Sequence, residues 1–438
     1  MKAGTVLLPV VWLAVLASSG CVTPRAAELE EPAFVPYPPT RFVVFADPHL
    51  FDPSLASART DTASRLPPLK RLIAESEPIL RAALERVAAE EPDFVLVCGD
   101  LTKDGEESSH ILFAEYLDRL ESSGIPVLVV PGNHDVLNSR AVRYDGETEQ
   151  RVAWISPERF RDIYAEFGFR QAIALDPSSL SYVAEPVSGL WVLALDSCRY
   201  REQEDKPLGS GRIYPETLRW LEGILVEARS RRKAVIVFLH HEILEHYAQQ
   251  RKYFPDTVIA NGSGLSRLLA ARGVRVAFTG HEHAHDIRFD GSLYDVATGS
   301  LIGYPCPYRT VEISPEQVMS LGTRYIDAHE KNPEGFRQHA RESFRSAVVE
   351  MALSLLAESK VRALDAQRIA EKSAQAFLAH HGGDEAPPAS ILDTSGIGWW
   401  GRVVFLARRS LFEGLWNDPE PPDNKLSIDL KTGDWRLP

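Results

Sequence analysis

The sequence predicts an α/β fold, a two-layered β-sheet flanked by helices, and three observations predict it. Strand-like and helix-like stretches alternate across residues 41–315. The runs FVVFA, DFVLVC, PVLVVP, AVIVFL and VRVAFT are apolar without polar alternation, as expected of sheets covered on both faces. Each of these five runs ends in a polar cluster: Asp47-Pro48-His49, Gly99-Asp100, Gly132-Asn133-His134-Asp135, His240-His241 and Gly280-His281-Glu282-His283. Open α/β sheets bind ligands at the carboxyl ends of their strands, so five such clusters read as one assembled site.

The elements follow in order. Residues 1–21 have a short basic start at Lys2, an apolar run over 5–17 and then small residues, which is the pattern of an export signal. Ser18-Ser19-Gly20-Cys21 reads as a bacterial lipoprotein processing site, with Ser18 where Leu is usual; ordinary cleavage after Ser19 is the alternative. The expected location is therefore the bacterial cell envelope or periplasm, with a lipid anchor on Cys21. Residues 22–40 are rich in Pro, Glu and Ala and read as a tether. Helical periodicity marks 77–90, 110–121, 157–167, 215–229 and 264–272, and shorter strands are expected at 180–184, 190–195, 292–297 and 308–313. Residues 138–150 are polar and read as an insertion over the site. Beyond 315 the character changes. Residues 334–380 read as one long helix, 400–415 carry an apolar helical face that packs on the rest of the chain, and 427–437 read as a hairpin turning on Thr432-Gly433-Asp434.

Bulk properties narrow the function. The 438-residue chain carries 48 Lys and Arg against 61 Asp and Glu, a formal net charge of -13, which argues against a nucleic-acid binder. Cys98, Cys198 and Cys306 are widely spaced and odd in number, so no disulfide framework is expected.

The clusters carry the chemistry. On an extended strand, residues i and i+2 point the same way, so Asp47 and His49 can grip one ion, and His281 and His283 can converge likewise. Gly99, Gly132 and Gly280 suit tight turns that present the next side chain. Mixed Asp, His and Asn ligation without thiolate suits manganese, iron or zinc. Asp47 and Asp100 are the only anionic ligands, so two divalent ions keep the site net positive and able to attract a phosphate. His110, His246, His329, His339, His380 and His381 belong to no cluster and read as structural or surface residues.

The ordered motifs DxH, GD, GNHD, H and GHxH resemble the calcineurin-like metallophosphoesterase superfamily over residues 41–315, nearly two thirds of the chain. The DPH, GDLT and GNHD wording is closest to its bacterial cyclic-nucleotide and glycerophosphodiester phosphodiesterase branch. The resemblance implies a four-layer αββα sandwich holding two divalent metal ions, with residues 316–438 as a mostly helical accessory region. It implies Asp47, His49 and His283 on one ion, Asn133, His240 and His281 on the other, and Asp100 bridging. His134 would face the substrate phosphate and Asp135 would orient its ring; His241 would be a near-site residue. Lys103, where purple acid phosphatases have Tyr, argues against a tyrosinate–iron centre, and Glu242 stands where the diesterase branch often has Pro. Lys103, His241, Tyr304 and Arg309 are the expected substrate contacts. The implied activity is hydrolysis of phosphate esters, diesters ahead of monoesters; a monoesterase of the same fold and a non-catalytic metal-binding scaffold are the alternatives.

Overall fold

The computed structural model describes residues 34–57, 72–203, 206–326, 335–383, 385–417 and 419–438. The expected signal segment with Cys21 lies outside the described residues, as do most of the tether and His329. The first part of the chain runs β1 (Thr40–Phe45), α1 (Ser76–Ala89), β2 (Phe94–Cys98), α2 (Glu107–Ser122) and β3 (Val127–Val130). A hairpin, β4 (Val142–Asp145) and β5 (Thr148–Arg151), and helix α3 (Pro157–Ile163) follow. Next come β6 (Ala174–Leu175), β7 (Tyr182–Val187), β8 (Leu190–Leu195), α4 (Pro215–Ser230), β9 (Ala234–Leu239), α5 (Gly262–Ala271) and β10 (Val276–Thr279). Strands β11 (Asp286–Phe289), β12 (Tyr294–Ala297), β13 (Pro307–Ile313) and β14 (Val318–Tyr325) precede α6 (Phe336–Glu358), α7 (Ala363–Gly382), α8 (Trp399–Leu406) and α9 (Arg409–Leu415). Strands β15 (Lys425–Asp429) and β16 (Trp435–Arg436) end the chain.

Two sheets result. One has the order β16-β15-β14-β13-β1-β2-β3, the other β11-β12-β10-β9-β8-β7-β6. Within them β1, β2 and β3 are mutually parallel, as are β8, β9, β10 and β12. Alternation along β8 shows how the layers stack. Leu190, Val192 and Ala194 join the large core shared with the first sheet, whereas Trp191, Leu193 and Leu195 pack with Leu221 and Leu225 of α4 and Leu265 and Leu269 of α5. Ile79 and Leu80 of α1 and Phe113 of α2 join the core on the first sheet's side. The layers are therefore helix, sheet, sheet, helix: the four-layer αββα sandwich.

Aromatic contacts hold the two sheets together. Phe42 of β1 stacks on Phe94 of β2 at 4.7 Å and meets Phe278 of β10 edge-on at 5.4 Å. The Tyr182 hydroxyl of β7 donates to the Val129 carbonyl of β3 at 2.9 Å, a polar tie through a fully buried region.

Two readings change. The division expected at 315 runs through a sheet, because β13 pairs with β14 from Pro307↔Tyr325 to Ile313↔Met319, and β15 and β16 extend the same sheet. The long helix expected over 334–380 is a helical hairpin. α6 ends where Lys360 takes a left-handed conformation (φ 54°), with Val361 N–H bonded to Leu356 O and Lys360 N–H to Ala357 O. That is a Schellman stop built without glycine, so composition did not announce it. The polar insertion is ordered as β4–β5, with Val142 opposite Arg151.

The helical C-terminal region packs on the sandwich through Tyr247, Phe344, Val348, Phe377, Phe405 and Phe412. Among the described residues no helix is long and apolar enough to cross a membrane. Because Phe42 is central to the inter-sheet contact, Phe42→Ala is expected to cost about 3–5 kcal/mol of stability. Urea unfolding of the two proteins checks this.

Candidate metal centre

The five clusters meet where the carboxyl ends of β1, β2 and β3 in one sheet face those of β9 and β10 in the other. Two cups of donor atoms form there. In the first, His49 Nε2 and His283 Nε2 are 3.1 Å apart, and Asp47 Oδ1 is 3.5 Å from His283 Nε2 and 4.0 Å from His49 Nε2. In the second, His240 Nε2 is 3.0 Å from Asn133 Oδ1 and 3.0 Å from His281 Nδ1. Asp100 Oδ2 lies between the cups, 3.6 Å from His49 Nε2 and 3.5 Å from His240 Nε2. One carboxylate oxygen is thus placed to serve both.

These donors fit cations on several counts. Asp47 Oδ1 is buried and has no hydrogen-bond partner, an arrangement that is costly for a carboxylate unless a cation faces it. His240 Nδ1–H donates to Cys98 O at 2.9 Å, which fixes the tautomer that aims the Nε2 lone pair into the second cup. Burial alone would lower the His240 pKa, yet the Asp100 and Asp47 carboxylates raise it to about 9. The pocket draws positive charge. Asp47 Oδ2 and Asp100 Oδ1 are anchored separately, accepting from His281 N–H at 3.0 Å and His134 N–H at 2.8 Å.

The local backbone is not an extended strand end. Asp47, His49, Asp100, His281 and His283 all have positive φ, from 39° to 75°. Side chains converge because the backbone reverses, and the i, i+2 alternation expected for Asp47 and His49 does not apply. Each such residue costs about 1–2 kcal/mol, and strain of this kind collects at functional sites. The glycines also act differently from expectation. Gly99 has φ 79°, but Gly132 and Gly280 are needed for space: a Cβ on Gly132 would lie 2.1 Å from the Asp100 main-chain N and Oδ1, and one on Gly280 2.5 Å from Asp47 Oδ2.

Residues 40–285, more than half of the chain, match the calcineurin-like phosphoesterase family. The chain belongs to this family. Over 202 residues the chain is 26% identical to a probable cyclic nucleotide phosphodiesterase of Pseudoalteromonas sp. (strain SM9913), covering 46% of this chain and 60% of that protein. Among solved structures it is similar to a dimetal phosphatase from Danio rerio, with 16% identity, TM-score 0.48 and coverage of 66% and 97% of the respective chains. A purple acid phosphatase from yellow lupin aligns with 14% identity, TM-score 0.42 and coverage of 66% and 53%.

Around the candidate metal centre, the expected second-row residues divide. His134 is partly exposed, with Nε2 4.0 Å from Asp100 Oδ2. Its Nδ1 is 2.7 Å from Lys103 O and 3.0 Å from Asp104 Oδ1, so Nδ1 carries the proton and Nε2 faces the site. Asp104, not Asp135, orients this ring. The Asp135 carboxylate turns away and accepts from the main-chain N–H groups of Leu101, Thr102 and Gly132 and from the Thr102 hydroxyl. Its job is to hold the GD and GNHD loops together. Asp104 was missed because a lone acid after Lys103 carries no spacing signal.

The four expected substrate contacts have the following surroundings. His241 is fully buried: Nε2–H donates to Gly209 O at 2.9 Å, so Nδ1 accepts from the Ser197 hydroxyl at 2.8 Å. A nitrogen of His241 does lie within 4.8 Å of donors on His240 and His281. Both nitrogens are engaged, however, and burial, then the His240 charge, push its pKa down to about 3. Its ring packs against that of His281 at 4.3 Å and positions it. The Lys103 ammonium pairs with Asp104 and with Glu106 at 3.6 Å; burial opposes its charge and these carboxylates raise its pKa. Arg309 is fully buried on β13, donating to Asp423 O at 2.7 Å and Ala297 O at 2.6 Å, and ties the sheets together. Tyr304 is partly buried between the main core and the C-terminal helices, 6.2 Å from the Phe344 ring.

His110, read from the sequence as structural or surface, is a core residue: burial pushes its pKa down to about 3, and it bonds Tyr164 and Asp135 O. Because Gly132 abuts Asp100, Gly132→Ala is expected to displace the shared carboxylate. Metal analysis of the purified variant should show less than half of the wild-type manganese or zinc retained, with circular dichroism unchanged.

Proposed function

We propose that this chain is a two-metal phosphodiesterase of the bacterial cell envelope. The observation that carries the metal reading is the placement of Asp100 Oδ2 within 3.6 Å of donors in both cups. Asp47, His49 and His283 would hold one divalent ion, Asn133, His240 and His281 the other, and Asp100 both. Manganese, iron and zinc suit this oxygen and imidazole set. Bound there, the two ions would supply the positive potential that holds a phosphate and the acidity that activates a water.

The chain's own residues do the rest. His134 Nε2 lies at the open side of the centre, where it can hold a proton for the departing ester oxygen. Asp104 and Lys103 O fix the ring so that only Nε2 is presented. The preference for diesters is supported by the likeness to the probable cyclic nucleotide phosphodiesterase of Pseudoalteromonas and by the GDLT and GNHD wording. A phosphate ester is the partner, and no nucleic-acid partner is expected of so acidic a chain.

Protein stripped of metal and reloaded with manganese, iron or zinc singly should hydrolyse bis-p-nitrophenyl phosphate or cyclic AMP faster than p-nitrophenyl phosphate. Turnover of the monoester alone overturns the diesterase reading, and full activity without metal overturns the two-metal reading. Asp100→Ala is expected to abolish turnover. His134→Ala should lower kcat about 10²–10⁴-fold, with metal content intact. Asp104→Asn should lower it about tenfold or more, as loss of an orienting partner does.

Export and acylation at Cys21 are the second part of the proposal, supported by the apolar run and the Ser18-Ser19-Gly20-Cys21 sequence. Mass spectrometry of the mature N-terminus should find a diacylglyceryl-modified Cys21; an unmodified chain beginning after Ser19 would discard the anchor.

A further inference from the structure

Three carboxylates surround one imidazole outside the phosphoesterase centre. His380, in the last turn of α7, has Nδ1 2.8 Å from Glu385 Oε1 and 3.8 Å from Asp286 Oδ2, and its Nε2 is 3.8 Å from Glu282 Oε1. All four side chains are more than nine-tenths buried. Donor atoms of Asp286, His380 and Glu385 lie within 4.8 Å of one another. The sequence reads His380 as a structural or surface residue; the structure buries it among carboxylates.

We propose that Asp286, His380 and Glu385 form a third metal site, which takes a divalent ion such as zinc or manganese and clamps the C-terminal helices to the loop bearing His281 and His283.

Independent details support it. Glu385 Oε2 is buried and has no hydrogen-bond partner, although a buried carboxylate oxygen normally finds one. Of the three buried carboxylates around His380, Asp286 also pairs with His246, so Glu282 and Glu385 share the single positive charge that His380 can carry. Burial opposes charge on His380, yet Glu282 and Glu385 outweigh it and hold the imidazole well above its usual range. The surroundings therefore favour a cation at this spot. Asp286 is already oriented for ligation: His246 Nδ1 is 2.8 Å from its Oδ1, which leaves Oδ2 on the His380 side. Carboxylates that ligate metals are themselves held by a hydrogen bond from behind. One imidazole nitrogen and two carboxylate oxygens, without thiolate, suit zinc or manganese at about 2.0–2.2 Å.

The ligands come from distant parts of the chain. Asp286 opens β11, three residues past His283, while His380 and Glu385 come from the end of α7 and the turn after it. An ion there would fasten the helical hairpin to the segment that supplies two donors of the phosphoesterase centre.

The test is metal stoichiometry of the full chain, stripped with chelator, reloaded with zinc alone and desalted. Three zinc ions per chain are expected for the wild type and two for Glu385→Gln and His380→Ala. The two variants should also lose most of the zinc-induced rise in melting temperature. Zinc-edge anomalous diffraction from wild-type crystals should place a peak beside His380, and this reads the site even if a variant fails to fold. Two ions in the wild type, equal stoichiometry in Glu385→Gln, or no peak beside His380 would overturn the proposal. Its outcome is separate from that of the phosphodiesterase reading: a third ion in a protein that cleaves no phosphate ester would leave this site standing.

Discussion

The close approach of the two sheets at their carboxyl ends is the constraint on which the centre depends. Gly99 of the first sheet abuts the His240 ring of the second, and Gly280 of the second abuts Asp47 of the first. A Cβ at either place would come within 2.5 Å of the facing side chain. This reciprocal contact lets Asp100 reach both His49 and His240. It also lets His240 donate across the gap to Cys98 O and the His281 amide donate to Asp47. Each half of the centre is thus tethered to the opposite sheet by a hydrogen bond.

Such closeness has an energetic cost. Five donor residues sit at positive φ, and two buried carboxylates face one another across imidazoles. None of this favours the folded chain locally. The offset comes from the apolar inter-sheet layer behind it, where Phe42, Phe94 and Phe278 meet, and from polar cross-ties at Tyr182 and Arg309. Arg309 illustrates the logic. A fully buried guanidinium is tolerated because it satisfies main-chain carbonyls from Ala297 and Asp423 that the sheet junction would otherwise leave open.

Much of this was legible in the sequence. The apolar runs located β1, β2, β3, β9 and β10, and the polar clusters at their ends named every donor that the fold brings together. What the runs could not carry was direction beyond the strand. Lys103, His241 and Arg309 are near motifs in sequence, but their polar atoms are engaged by Asp104 and Glu106, by Ser197 and Gly209, and by buried carbonyls respectively. The C-terminal boundary was illegible for a related reason. β14 has no cluster and follows β13 through a short turn, so the end of the apolar alternation looked like the end of the domain. His380 and Asp286 are separated by too many residues for any spacing rule to join them.

The acidity of the chain and the needs of the proposed phosphate site are reconciled by where the carboxylates point. Asp104 and Asp135 are both close to His134, yet neither leaves its charge facing the open side. Asp135 is held by three main-chain N–H groups and a hydroxyl, and Asp104 by Lys103 and the His134 ring. Glu106 likewise lies against Lys103. The Lys103 charge is thereby balanced by Asp104 and Glu106 within the fold. Only Asp47 and Asp100 direct negative charge into the cups, and there it meets the cation donors. The remaining acidic surplus can therefore sit elsewhere on the surface without raising the local barrier to an anionic substrate, because interactions between exposed charges fall away within about 8–10 Å at physiological salt.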